Sequence, residues 1–282
     1  METIDYSIKD KEDELFSIWK QHHEDFCPNG GLLFRGNFGI NPIANDNGEF
    51  TWNRMPSNDE EILWCKSDKR LMVLSKDLND TELWDIRQES GGRKHLKQNQ
   101  MPSEEKLLFT GAPFKRKLNR WVYGIYKEYR GEYPSFEEVK DYKKMGLFYE
   151  QTPLVRINCK IELGTNCVKN EVLKESMESN KSFLIKQIKL YKANIILCCG
   201  YTKKEGNVIL KFLTENYLND IKVIEGSGDW IYYSESKKIV IINSFHPSCR
   251  GKGKSDEWLY NELVKNFSQS VSNLDIIFSP LT

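Results

Sequence analysis

Apolar and polar positions along the chain follow two rhythms. Continuous apolar runs of strand length stand at 70–75 (RLMVLS), 153–159 (PLVRINC), 193–199 (ANIILCC) and 238–243 (KIVIIN), with weaker runs at 221–224 and 230–234. Between them apolar residues recur at helical spacing over 12–23, 114–129 and 170–191. Ser135-Phe-Glu-Glu138 and Thr202-Lys-Lys-Glu205 read as capping boxes, the second opening a helix to about 217, and Ser255 caps a closing helix to about 267. The polar stretch at 88–106 reads as a loop. Strands alternating with helices predict an α/β fold: a three-layer sandwich with a central, mostly parallel four-stranded sheet and helices on both faces. No internal repeat or long linker divides the chain. It is therefore expected to be a single domain over 1–282, with an N-terminal extension (1–69) and a helical, basic insertion at about 88–150.

Composition narrows the class. Lysine plus arginine and aspartate plus glutamate both number 41, so a polyanionic partner has to be met by a local patch rather than by net charge. One candidate patch is the segment 93–120, where Lys115 and Arg116 sit among six other basic residues against Glu104 and Glu105; the alternative is a solvated helix face. No apolar stretch approaches the ~20 residues that span a bilayer, and the charged start METIDYSIKDKEDELF lacks a signal core. A cytoplasmic, membrane-free monomer is expected. The seven cysteines include no CxxC pair, which argues against a zinc or iron–sulfur site, and Cys198-Cys199 lie in an apolar run as core thiols. His22-His23 with Cys27 reads as a solvated helix end rather than a ligand set. No metal and no cofactor are expected.

Open parallel sheets bind ligands beyond the carboxyl ends of their strands. The first main strand runs into Ser75-Lys-Asp77-Leu-Asn-Asp80, the second into Asn158-Cys-Lys160, the third into Gly200-Tyr201 and the fourth into Ser244-Phe-His246-Pro-Ser248. Each has a structural alternative: Asp77 or Asp80 as a helix cap, Asn158 as a cap or turn, His246-Pro247 as the end of a strand. Gathered on one edge, they make a site.

VLSKDLND (73–80), Ile157-Asn158, ANIILCCG and HPS (246–248) together resemble the uracil-DNA glycosylase superfamily, in this order and over about 180 residues. The resemblance implies a water-activating carboxylate at Asp77, an asparagine reading the base edge at Asn158 near Gly200, and a catalytic His246. The chain departs from the family at two points. Where the uracil enzymes carry Gly-Gln-Asp-Pro-Tyr-His, this sequence has Ser75-Lys76-Asp77-Leu78-Asn79-Asp80, without the proline and the aromatic gate. Where they follow His-Pro-Ser with Pro-Leu, it has Cys249-Arg250.

The chemistry is self-consistent. Breaking an N-glycosidic bond leaves positive charge on the sugar and negative charge on the departing base. A carboxylate at Asp77 stabilises the cation and orients water, and His246 donates to the base. Asn158 offers one donor and one acceptor to a pyrimidine edge. A flipped-out base also requires grips on the backbone, for which Ser248, Arg250, Lys252, Lys115 and Arg116 are the candidates, and DNA the partner. Two other classes fit the same residues: a nucleoside or nucleotide hydrolase, and a DNA- or base-binding protein of this fold without activity. Trp84, Phe34 and Phe38 are candidate stacking rings.

Overall fold

The computed structural model describes residues 7–23, 26, 28–33, 43–44, 49–51, 59–76, 86–88, 96–97, 113–162, 168–249 and 253–281. Asp77, Asp80, Trp84, Phe34, Phe38, Cys27, Arg250 and Lys252 lie outside them.

The helices are α1 (Ile8–His22), α2 (Asp59–Lys66), α3 (Pro113–Lys127), α4 (Tyr142–Gln151), α5 (Asn170–Ser179), α6 (Lys181–Leu190), α7 (Val208–Asn216) and α8 (Asp256–Asn273). The strands are β1 (Gly30–Leu32), β2 (Ile43–Ala44), β3 (Glu49–Thr51), β4 (Leu71–Ser75), β5 (Leu96–Lys97), β6 (Val155–Asn158), β7 (Ile195–Thr202), β8 (Gly206–Asn207), β9 (Lys222–Val223), β10 (Ile231–Ser234) and β11 (Ile239–Phe245). The class is α/β, but the sheet differs from the expected one. It is mixed and eight-stranded, ordered β1-β6-β4-β7-β11-β10-β9, with β8 paired to β7. The four predicted strands form its parallel centre, β6-β4-β7-β11. Antiparallel β1 extends one edge, and β10 with β9 extends the other. β9 and β10 fall in the weaker runs read at 221–224 and 230–234, whereas β1 and β8, of three and two residues, carry too little periodicity to be read as strands. A separate three-stranded sheet joins β2, β3 and β5.

Side chains alternate across each central strand, so Met72 and Leu74 enter one core and Leu71 and Val73 the other. The first core is closed by α1, α5, α6 and α7, through Phe16, Trp19, Leu173, Leu184 and Leu213. The second is closed by α3, α4 and α8, through Trp121, Tyr149, Leu263 and Phe267. The sheet centre and the inward faces of both helix layers are buried, which gives the three layers their stability. The stretch read as an extension is thus part of the fold: α1 covers one face and β1 lengthens the sheet. Likewise, α3 and α4, read as part of an insertion, cover the other face.

Three helix readings change. The apolar periodicity at 170–191 is broken at Asn180, whose buried amide donates to the Ser176 carbonyl at 3.0 Å and accepts the Trp19 indole N–H at 3.0 Å. An asparagine that hydrogen-bonds its own preceding turn competes with the helix. Thr202-Lys-Lys-Glu205 closes the β7–β8 hairpin, with the Glu205 N–H on Thr202 Oγ1 at 3.2 Å, and α7 starts only at Val208, capped by Asn207. Ser135 and Glu138 do make the reciprocal capping contacts, but they open only a single 3₁₀ turn, Glu138–Lys140. Ser255 caps α8 as expected, accepting from the Trp258 N–H. Among the described residues no helix is long and apolar enough to cross a membrane.

Candidate functional site

The central strands place Ser75, Asn158 and His246 at one carboxyl edge. Ser75 and Asn158 are register partners on β4 and β6, and the Ser75 hydroxyl donates to Asn158 Oδ1 at 2.5 Å. Asn158 is wholly buried and its backbone is clamped from both sides. Its N–H donates to the Asn29 carbonyl at 2.8 Å, and its own carbonyl accepts from Asn29 Nδ2 at 2.7 Å. The side-chain acceptor is therefore engaged by Ser75, while among the described residues the Asn158 Nδ2 donors have no partner. Buried polar atoms are rarely left unpaired, and an orphan amide at a strand's carboxyl end is a group held ready for an incoming acceptor.

His246 follows β11 and opens a turn, in which the Cys249 N–H donates to the His246 carbonyl at 2.7 Å with Pro247 at the second position. This turn answers why a histidine precedes Pro-Ser. The Ser248 backbone N–H donates to His246 Nδ1 at 3.2 Å, so the neutral ring carries its proton on Nε2. Burial first, then the charges of Lys76, Arg156 and Lys117, pull the His246 pKa down to about 4. The imidazole is thus a neutral N–H donor set among three cations. Phe114, at the start of α3, touches both sides of this group: its ring centre lies 5.3 Å from that of His246 and 4.6 Å from the Arg156 guanidinium carbon. Arg156 of β6 and His246 of β11 thus meet on one ring across the two strands between them.

The remaining cations are anchored. Lys76 donates to Asn170 Oδ1 at 3.0 Å. Lys117 is buried, holds the Cys249 carbonyl and pairs with Asp256 at 3.3 Å, which also takes Arg120 at 3.2 Å. These contacts tie α3 and the first turn of α8 to the His246 turn. Lys115 is buried with its ammonium 5.5 Å from the Tyr149 ring centre, Arg116 is exposed on α3, and Ser248 is exposed.

Gly200 has a packing function. The register between β7 and β11 slips there, Ser244 facing Cys199 and Phe245 facing Tyr201, so Gly200 is the extra residue of a β-bulge. A Cβ at Gly200 would stand 2.7 Å from Asn207 Oδ1, the group that caps α7. The structure thus joins Ser75, Asn158 and His246 to a glycine that shapes the strand. Phe114 and Arg156 are members that sequence reasoning missed: the first reads as one more apolar residue of an amphipathic helix, the second as an interruption in a strand. Asp77 directly follows the described Lys76.

Cys159, Cys198 and Cys199 are buried free thiols. Burial pushes the Cys159 thiol up to about 12 and the other two upward as well, so none is poised as a nucleophile. Among the described residues no group of three or more His, Cys, Asp or Glu is arranged to hold a metal ion. Compared with family models, curated proteins and solved structures, the chain matches none.

Proposed function

We propose that this protein is a DNA glycosylase-like hydrolase that breaks the N-glycosidic bond of a uracil-like or deaminated base flipped out of DNA. The observation that carries the reading is that one carboxyl edge holds a neutral His246 with its proton on Nε2, set among three cations, and an Asn158 amide whose Nδ2 has no partner among the described residues. Such a site is built for a planar ligand that arrives with carbonyl oxygens and leaves as an anion. His246 donates to the oxygen on which negative charge grows, and its low proton affinity keeps it a donor without becoming an acid. Lys76, Arg156 and Lys117 lower the energy of the departing anion through the field they set up. Phe114 gives the ligand a ring to lie against. Asp77 is assigned the sugar side, where its carboxylate stabilises the oxocarbenium-like centre and orients water. That assignment rests on its position after β4 and on the resemblance of 73–80 and 246–248 to the uracil-DNA glycosylase superfamily. Arg116, Ser248, Arg250 and Lys252 are the candidate phosphate grips.

The test is incubation with oligonucleotides carrying uracil, hypoxanthine, xanthine or hydroxymethyluracil, followed by alkali to cleave at abasic sites. At least one is expected to be cut. Asp77→Asn and His246→Ala are each expected to lower single-turnover base release by roughly 10²–10⁴, with little change in melting temperature. DNA retention without release of any of these bases would assign the fold to binding instead. Release from free nucleosides without DNA retention would assign it to a small-molecule hydrolase.

A further inference from the structure

The carboxyl edge also carries a small pocket. Tyr201, Trp230, Phe245 and Trp258 wall a cavity of about 160 Å³, completed by Gly228, Asp229 and Asn243. That volume is far below the ~300–1,000 Å³ of sites for drug-sized ligands, and admits one planar ring system. The rings meet at steep angles. Tyr201 and Phe245 are 4.9 Å apart at 85°, Trp230 and Phe245 6.1 Å at 65°, and Trp230 and Trp258 6.1 Å at 65°.

Buried hydrogen bonds fix its shape before any ligand arrives. Asn243 Nδ2 donates to the Asp229 carbonyl at 2.9 Å, its Oδ1 accepts from Asn207 at 2.9 Å, and its N–H donates to the Trp230 carbonyl at 2.7 Å. The bulge at Gly200 sets Tyr201 opposite Phe245. By contrast, the indole N–H groups of Trp230 and Trp258, the Tyr201 hydroxyl and the Asp229 carboxylate make no hydrogen bond or ion pair among the described residues. Trp258 is 37% exposed, an unusual place for a ring of that size.

An aromatic box also suits an organic cation, but here the cation is already supplied. The Lys254 ammonium sits 3.7 Å from the Phe245 ring centre, where it repels a second positive charge and attracts a phosphate. Phe245 ends β11 and His246 directly follows it, so the box and the site of the proposed reaction adjoin at the end of one strand.

We propose that this box is a second base site, which stacks an intact nucleobase neighbouring the one processed at His246, with Lys254 on the intervening backbone. The inference rests on the nucleic-acid reading above and extends it to a single-stranded or locally opened strand, since a base held there is unpaired.

Tryptophan fluorescence and anisotropy test it with a lesion-free oligothymidylate and with a copy in which one internal base is replaced by an abasic analogue, so that base release plays no part in the readout. The His246→Ala protein is expected to bind the first oligonucleotide with quenching. Adding Trp258→Ala should weaken binding roughly 5- to 100-fold, the range for loss of one stacked base. Trp258→Phe should restore most of it. In the unmodified box the abasic analogue should bind more weakly than the intact strand, and that difference should vanish with Trp258→Ala. Equal binding with and without Trp258 would overturn the proposal, as would a Trp258→Ala loss that ignores the missing base. Quenching by tetramethylammonium but not by oligothymidylate would overturn it in favour of a cation cage. Base release without the Trp258 effect would leave the glycosylase reading standing and remove only the second site. The Trp258 effect without base release would do the reverse.

Discussion

The sharpest prediction concerns the proton on His246. A free imidazole titrates near 6.5, and this one is held at about 4 by burial, by Lys76 after β4, by Arg156 on β6 and by Lys117 on α3. At pH 6 a free ring is about three-quarters protonated, whereas His246 should be protonated in about one molecule in a hundred. Its stability effect has a defined sign. Between pH 6.5 and 4 the unfolded chain takes up a proton that the folded protein refuses, so stability is fully present above 6.5 and falls as pH drops through 4. The loss is on the order of 3 kcal/mol for a shift of this size.

Nitrogen-correlated NMR of the imidazoles, with His246→Gln for assignment among the four histidines, reads both the midpoint and the tautomer. The expected spectrum shows a neutral ring with its proton on Nε2 from pH 5 upward, and an Nδ1 shift that reports acceptance from the Ser248 N–H. Lys76→Met should move the midpoint upward, because it removes the strongest of the three charges. A His246 that titrates between 6 and 7 in the folded protein, or one protonated on Nδ1 when neutral, would refute the reasoning from burial and charge. The donor role assigned to the ring would go with it.

Two further predictions rest on buried contacts. Asn29→Ala leaves the Asn158 carbonyl without its donor, and urea unfolding should show a loss of about 1–3 kcal/mol, with base release falling further than for a surface mutant of equal stability. Glu12 is buried against Arg87 at 2.8 Å, the Leu32 N–H at 3.2 Å and the Tyr191 hydroxyl, and burial raises its carboxyl to about 7 despite those partners. Its contribution is therefore present below pH 4.5 and lost as pH rises through 7, so Glu12→Gln should flatten the pH dependence of the melting temperature between these limits.

How much of this was legible depended on the range of the interaction that decides each feature. The four central strands announce themselves because a strand buried on both faces is a continuous apolar run, as in IILCC. The closing helix is legible from Ser255 because a cap acts within one turn. Gly30–Leu32 was not, because three residues carry no period. What makes them a strand is pairing with Val155–Ile157 and the room two glycines leave there: a Cβ on Gly30 would lie 2.0 Å from the Arg156 carbonyl oxygen. The break at Asn180 was hidden for a related reason, since Trp19, which holds its amide, lies 161 residues away. At the site, the identities of Asn158 and His246 could be read from their strand ends. The state of each could not. That Asn158 has spent its acceptor and kept its donors depends on Ser75, and that His246 is neutral depends on charges from three other elements.

The same division governs where a change in specificity would arise. The groups at Asn158 and His246 are fixed by backbone clamps, Asn29 on one and the Ser248 turn on the other, so substitutions that keep those clamps leave both side chains in place. The groups that meet the ligand's faces and flanks hang on different supports: Phe114 on the first turn of α3, Trp258 on the first turn of α8, Tyr201 on the bulge at Gly200. The starts of α3 and α8 are tied together through the part-exposed Asp256, which takes both Lys117 and Arg120. Small shifts of the α8 start would resize the space beside Phe245 while the Ser248 N–H still fixes the His246 tautomer. If the site acts as proposed, this arrangement separates what it does to a base from which base it admits. On the proposed reading, the absence from 75–80 of the aromatic gate of the uracil enzymes bears on choice of ligand rather than on the chemistry of release.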